Sequence, residues 1–522
     1  MNTSETGIDE SVEELLQQLT LREKISLLSG KDMWSTMPVD RLEIPSVVMT
    51  DGPHGVRSAN PDTGRVIGPA TAFPTGISMG ACWDVDLVER VGQALGEETR
   101  GMGCDILLGP CVNIVRDPRG GRNFETFSED PHLAGRTAVA YIKGVQSRGV
   151  GTSLKHFAVN NFETERFRAS VEIDERTLRE IYLPQFEMAV REAQPWTVMC
   201  SYNRINGVYA NENGYLLNTI LRDEWGFEGA VISDWGAVHN IHEPVKNGLD
   251  LEMPGPAKFF RQLPAAVHFW QIDEADIDQA ARRVLRLVVL SGRMERSRTM
   301  GAVNTADHKA LARQLAESAI TLLKNEGEAL PLDIKKLRSI AVIGPNAGEA
   351  VIAGGGSSHV DPPYRISPYQ AIRDALGKSL HISHAQGCDN FDEPFTIPSS
   401  WLEDGLHVAV FTRSDFSGKP VFETTIQQPK AWLNTDWSEI DPPPGGLICQ
   451  GRLSVPEDGR YRFILHHGGV IRLLLDGELL MVSTGNGKEQ RSEVRYHFRA
   501  GHRYELCVEY LRPPDQEVFS LR

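Results

Sequence analysis

The chain has no run of 18 consecutive apolar residues, no basic stretch at its start and no CxxC pair. Each absence removes a class of protein. Without a long apolar run there is no segment suited to crossing a bilayer as a helix, so no membrane partner is expected. The opening MNTSETGIDESVEELLQQL carries acids where a secretory leader needs a basic region and then an apolar one, so the expected address is cytoplasmic. Seven cysteines (Cys82, Cys104, Cys111, Cys200, Cys388, Cys449, Cys507) are odd in number and scattered, which suits reduced thiols rather than a disulfide framework. The histidines show no HExxH or comparable spacing, so no metal site is expected. A formal net charge of −16, with no stripe of basic residues interleaved with aromatics, excludes nucleic acid as a partner. GPNAGEAVIAGGGSSHV, residues 344–360, matches neither GxGxxG nor GxxxxGK[ST] and holds no lysine or arginine, so it reads as a loop lining a cleft and implies no nucleotide cofactor.

What remains is an ordinary globular composition, 41% apolar and 24% charged, spread over 522 residues. That length exceeds one core and suggests about three domains. As far as residue 295, β-rich segments alternate with amphipathic ones. SVVMTDGP (46–53), CDILLGP (104–110), GTSLKHF (151–157), TVMCSYN (197–203) and GAVISDW (229–235) read as strands. Residues 84–102, 130–149 and 175–193 have helical periodicity, the first entered through Asp84 with Asp86 and Glu89 in its opening turn. Repeated strand-then-helix units over this length predict a parallel sheet and favour a closed (β/α) barrel over an open one. Residues 296–388 look like a fresh α/β segment, with a helical pattern over 306–325, a strand over 338–345 and a helix over 367–377. Residues 389–522 turn to strand-like runs punctuated by EDG and LDGE, which predicts an all-β sandwich module.

Four of the five early strands end in polar or ionisable groups: Asp51, Lys155 with His156, Tyr202 with Asn203, and Asp234. One such end is ordinarily a turn or a cap. In a barrel, however, all the carboxyl ends share a face, so these residues converge. A carboxylate among cations and hydrogen-bonding groups (Arg57, Arg122, Lys155, His156, Tyr202) is expected to be held ionised, which suits a nucleophile better than a general acid. Donors and acceptors at this density match sugar hydroxyls, and Trp235 and Trp34 offer flat faces for a pyranose ring. A Schiff-base lysine would require apolar surroundings instead.

TDGPHGVR (50–57), GGRNFETFSEDP (120–131), SLKHFAVNN (153–161), MCSYNRING (199–207) and VISDWGA (231–237) resemble, in order and spacing, the motif series of glycoside hydrolase family 3, of the β-glucosidase type. The resemblance continues through LLKNEGEALPL and AVIGP into that family's second domain. It implies a (β/α)8-like TIM barrel over 1–295, the first part of an α/β sandwich domain over 296–388, and an inserted protective-antigen-type β-sandwich over 389–522. It also implies a retaining β-glucosidase acting on a small carbohydrate, with Asp234 as catalytic nucleophile. Asp51, Arg57, Arg122, Lys155, His156, Met199 and Tyr202 would line the glucosyl subsite, Trp235 would flank its entrance, and Ser357 would be a second-domain contact. AVNNFETERF follows the KHF motif where N-acetylglucosaminidases of the family carry an Asp–His dyad, so glucosides or a close neutral pyranoside are expected. The other readings are a sugar-binding protein with a vestigial site, and a xylosidase or arabinosidase of the same family.

Retaining hydrolysis requires a second carboxyl group about 5 Å from the first, to protonate the leaving oxygen. In relatives with an inserted sandwich that glutamate lies beyond the insertion, and the chain is expected to be truncated before it. Glu125, Glu129, Glu163 and Glu165 fall on loops above the barrel and read as structural. Loss of a general acid typically costs about 10² to 10⁴ in rate, roughly 3–5 kcal/mol. The chain should therefore retain far more of a full-length relative's rate on dinitrophenyl glucoside, whose leaving group needs no proton, than on cellobiose. Equal relative rates on the two substrates would contradict this.

Overall fold

Five short buried segments form one parallel sheet: β1 (Met49–Asp51), β2 (Ile106–Leu108), β3 (Gly151–Phe157), β4 (Thr197–Cys200) and β5 (Ala230–Ile232), hydrogen-bonded in that order. Each lies inside one of the strand ranges expected from sequence. Every residue in them is buried, as parallel strands covered on both faces must be. The computed structural model describes residues 5–57, 68–295, 300–388, 397–426, 445–485 and 490–511. It divides into two compact units, Met1–Gly387 and Cys388–Arg522.

Helices follow the strands and lie against the sheet. Val85–Gly101 starts at Asp84, whose side chain accepts the Leu87 amide proton; Pro131–Gln146 starts at Asp130, which caps the His132 amide. These two helices approach closely because each presents a glycine to the other's backbone. A Cβ on Gly92 would sit 2.5 Å from the Tyr141 carbonyl oxygen, and one on Gly144 would sit 2.1 Å from that of Glu89.

Two helical expectations are corrected. The pattern over 175–193 is not one helix: a turn at Glu175–Thr177 widens over Leu178–Tyr182, and a new helix begins at Pro184. Proline lacks the amide that would continue the ladder, so the chain restarts there. The pattern over 306–325 is helical only for Ala306–Ala319, and the β-branched Ile320 adopts extended angles.

Beyond β5 the hydrogen bonding continues through non-strand segments. Ile232 bridges Leu251 and Ser29 bridges Glu252, both in parallel sense; Gly30 bridges Thr36 and Ser35 bridges Val48, both antiparallel. The Met49 amide beside them donates to the Trp34 carbonyl at 2.8 Å. Buried carboxylates pin this side. Asp250 accepts from the Val231 amide at 2.7 Å, Arg222 at 2.7 Å and Arg283 at 2.9 Å. Glu98, buried in the Val85–Gly101 helix, accepts from the Thr71 and Asn304 amides, the Thr71 hydroxyl and His308 Nδ1, and so ties down the residues that lead into Ala306–Ala319.

After residue 300 the first unit adds Ser339–Ile343 paired in parallel with His381–Ala385, and a helix at Pro368–Leu376. The second unit holds a six-stranded antiparallel sheet in the order 422–426, 402–411, 446–453, 504–511, 470–475, 478–483, and a two-stranded ribbon of 459–467 with 490–498. Ile471, Leu473, Leu475, Phe498 and Tyr504 belong to its core. LDGE makes a hairpin, with Asp476 and Gly477 both at positive φ. EDG instead carries the chain from one sheet to the other, because 446–453 and 459–467 do not pair. The residues around 389, where the sandwich was expected to start, lie outside the described set. Among the described residues no helix is long and apolar enough to cross a membrane.

The glycine contact between the two helices yields a direct test. Gly144→Ala drives a methyl group into the backbone of Glu89, which is expected to cost about 1–3 kcal/mol as overpacking does. A fall in the urea midpoint at unchanged m-value checks it, and an unchanged midpoint would mean that the helices can move apart.

Candidate active site

The carboxyl ends of the strands meet as the alternation of strand and helix requires. Asp51 closes β1, Lys155 and His156 lie near the end of β3, Tyr202 follows β4 and Asp234 follows β5. The pairing of β3 with β4 shifts register between Leu154 and Phe157, the stretch that carries Lys155 and His156. All five side chains are buried, Lys155 to 1% exposure and Asp234 to 7%.

Asp234 makes its one close hydrogen bond through Oδ1. Oδ1 accepts the Trp235 amide proton at 2.7 Å. Oδ2 faces His156 Nε2 at 3.7 Å and is buried without a hydrogen-bond partner. The nearby cations are already paired. Lys155 Nζ donates to Asp51 Oδ1 at 2.8 Å, and Arg122 Nε bonds to Glu125. Burial opposes the Lys155 charge, but the Asp51 and Glu125 carboxylates outweigh it and hold the ammonium above its ordinary pKa. His156 goes the other way: burial first, then Arg122, Lys155 and Arg166, push it well below the imidazole range, so the ring is neutral.

The expectation that cations hold Asp234 below the ordinary carboxylate range is overturned. Burial raises its pKa, and the lowering contributions of Arg122, the Trp235 amide, Lys155 and Tyr202 do not cancel that effect. The two cations are themselves largely neutralised by Asp51 and Glu125, so Asp234 feels less positive charge than the motif suggests.

The remaining expected residues are distributed around this centre. Tyr202 donates its hydroxyl proton to the Trp235 carbonyl at 3.0 Å. Met199 is buried on β4, beside Ile232 of β5. The Trp235 ring lies 5.7 Å from that of Trp34, and its Nε1–H reaches the Met33 carbonyl at 2.8 Å. Arg57 sits 6.0 Å over Trp34 and donates to the Ser357 carbonyl at 3.3 Å, so Ser357 joins the periphery through its backbone and meets Arg57. Glu125, Glu163 and Glu165 each pair with an arginine, namely Arg122, Arg166 and Arg168.

A narrow cleft adjoins the centre. It takes in Arg122, His156, Asn160 and Glu163 but not Asp234, Asp51 or Lys155. Three groups here escaped the sequence reading. Arg166 lies 4.8 Å over the Tyr202 ring. Asn160 is buried with both amide atoms unpaired, and Asn113 contacts His156 at three atoms. Arg166 could have been suspected, since it is the first basic residue in the loop after the KHF stretch. The two asparagines carry no signal that separates them from turn residues.

The raised pKa of Asp234 has a thermodynamic sign. In the window above the ordinary aspartate value of about 4, the folded chain binds more protons at this site than the unfolded chain, so its stability falls as pH rises through that window. Asp234→Asn removes the dependence. It should raise the melting temperature at pH 7 by about 1 °C per kcal/mol recovered, given the size of the unit Met1–Gly387, with the gain fading as the pH approaches 4. Calorimetry of both proteins across this range checks it; a variant less stable than the parent at pH 7 would show that the carboxylate is favourably paired.

The profile of the Glycosyl hydrolase family 3 N terminal domain matches residues 16–287, and that of the Glycosyl hydrolase family 3 C-terminal domain matches residues 320–478. A beta-glucosidase of Rhizobium radiobacter is 39% identical over 518 residues, which cover 96% of this chain and 62% of that protein. An exo-alpha-(1->6)-L-arabinopyranosidase of Bifidobacterium longum is 44% identical over 374 residues, 68% of this chain and 48% of the relative. The crystal structure of a beta-glucosidase from Kluyveromyces marxianus in complex with glucose superposes with a TM-score of 0.73 at 32% identity, covering 98% of this chain and 64% of that one. The chain thus spans less than two thirds of the length of each of these proteins, and along that span it belongs to glycosyl hydrolase family 3.

Proposed function

We propose that the chain is a retaining β-glycosidase of the β-glucosidase kind, which releases terminal β-D-glucosyl residues through a covalent glycosyl-enzyme on Asp234. One observation carries this: a buried carboxylate at a strand end, one oxygen fixed by a backbone amide and the other facing inward with no donor. In this reading Oδ2 attacks the anomeric carbon as the glycosidic C–O bond breaks, the leaving oxygen takes its proton from solvent, and water then attacks the same carbon to free the sugar and restore the carboxylate. Asp51, Lys155, Arg122 and His156 bind ring hydroxyls, Met199 and Tyr202 form the wall, and Trp235 with Trp34 and Arg57 frames the opening. The raised pKa favours catalysis rather than opposing it. A carboxylate disfavoured by burial gains most when positive charge develops on the sugar, so its stabilisation is greater in the transition state than in the ground state.

The same proposal covers the architecture. The path of bridges from β5 through 251–252, 29–30 and 35–36 to β1 supports closure into a (β/α)8-like TIM barrel over 1–295. We assign 296–388 to the first part of an α/β sandwich domain and 389–522 to a protective-antigen-type sandwich. A cytoplasmic setting fits the seven free cysteines.

A second reading rests on the arabinopyranosidase relative, which shares more identity over its shorter match. L-Arabinopyranose lacks the exocyclic carbon of glucose and carries its C4 hydroxyl axial rather than equatorial, so the two sugars differ at adjacent positions along one edge of the ring.

Incubation with 2-fluoroglucosyl fluoride, followed by peptide mass spectrometry, tests the chemistry. A covalent label on the peptide containing Asp234, absent in Asp234→Asn, is expected. Reversible binding with no label would instead make the chain a sugar-binding protein. The ratio of kcat/KM on nitrophenyl β-D-glucoside to that on nitrophenyl α-L-arabinopyranoside, expected above ten, decides between the two sugars.

A further inference from the structure

The contacts of Asn113 determine which hydrogen-bonding role His156 can play. The Asn113 side chain spans the backbone of His156: its Oδ1 accepts the His156 amide proton at 2.9 Å and its Nδ2 donates to the His156 carbonyl at 2.9 Å. These two bonds leave no freedom about which end of the amide is oxygen, because an N–H can be accepted only by oxygen and a carbonyl can be served only by the NH₂ group. The same Oδ1 lies 3.2 Å from His156 Nδ1. An amide oxygen carries no proton, so this contact is a hydrogen bond only if Nδ1 does. The Cys111 thiol is 3.7 Å from the same nitrogen and is a weak, longer competitor. Burial pushes that thiol up to about 12, so it remains S–H.

The ring is neutral, as described above, and therefore holds one proton. With that proton on Nδ1, Nε2 presents a lone pair toward Asp234 Oδ2, 3.7 Å away and itself without a donor. Two acceptors face each other across a gap, and whatever enters must bring a proton.

We propose that Asn113 is a positioning residue that fixes His156 in the Nδ1–H tautomer, so that Nε2 is an obligate acceptor and selects a glycoside bearing a free hydroxyl, rather than an ether or a deoxy carbon, at the position it faces. The tautomer follows from the contacts of Asn113 together with the neutral state of the buried ring, whereas the ligand class rests on the glycosidase reading above. The two can fail separately. If Nε2 carried the proton, a ring ether oxygen or a fluorine could be accepted there; with the lone pair outward, neither can satisfy it.

The test has two arms. Nitrogen NMR of the full chain labelled with ¹⁵N-histidine, with the His156 signals assigned by their loss in His156→Gln, reads the tautomer directly. The expected result is a protonated Nδ1 and an unprotonated, pyridine-type Nε2. Asn113→Asp, which keeps the accepting oxygen, should preserve this pattern at high pH, whereas Asn113→Ala should average the two nitrogens. A protonated Nε2 in the parent chain overturns the proposal. The second arm compares inhibition constants of the monodeoxy and monodeoxyfluoro glucoses. At one hydroxyl both replacements should weaken binding by roughly tenfold to a hundredfold, and to the same extent. Recovery with fluorine at every position would contradict an obligate acceptor. If no glucose derivative binds and no glycoside is turned over, the glycosidase reading fails while the NMR result still decides the tautomer. Should Asn113→Ala not fold, the parent chain supplies both decisive measurements.

Discussion

The centre of this molecule depends on a carboxylate that the fold has taken out of water without giving both its oxygens a donor. Asp234 is positioned by its place just after β5 and by the Trp235 amide, and the cations nearest to it are already engaged. Isolated buried charges are costly, and proteins ordinarily neutralise them or pair them. Here pairing is applied to the neighbours instead. Lys155 belongs to Asp51 and Arg122 to Glu125, which leaves Asp234 with a diluted positive field and a pKa raised by burial. The arrangement is a preorganised deficit, removed when a cationic centre arrives beside it.

His156 extends the same logic to hydrogen bonding. Its neutral ring is turned by Asn113 so that it takes protons at the side facing Asp234 and gives none. The site therefore combines acceptors at its heart with donors at its edge, Lys155 and Arg122, and a polyhydroxylated ring can engage both. The Arg122 charge on one side and the tautomer on the other are set by Glu125 and Asn113, which need not touch the ligand.

Much of this was legible in the sequence because the signals are local. A run such as AVISDW states both that a strand is buried and that its end is acidic, and parallel topology then brings such ends together. The five strand positions and the association of Asp51 with Lys155 follow from that. What could not be read depends on distance through space. The pKa of Asp234 hinges on which carboxylates pair with Arg122 and Lys155, and the role of Asn113 hinges on a contact across 43 residues. Helical periodicity also overreached. It passed through Pro184 and past Ala319 because an amphipathic pattern persists where a missing amide or a β-branched residue ends the hydrogen-bond ladder. Turn chemistry shows the same limit: LDGE and EDG look alike, yet only one joins paired strands.

The facing glycines of the two helices behind β1–β3 set a spacer whose length is a backbone thickness rather than a side chain. Such a spacer does not change when the outward residues of those helices mutate. Sequence drift on the exterior is thereby decoupled from the separation of the strand ends, and a lineage can remodel its surface for new surroundings while the chemistry inside inherits unaltered dimensions.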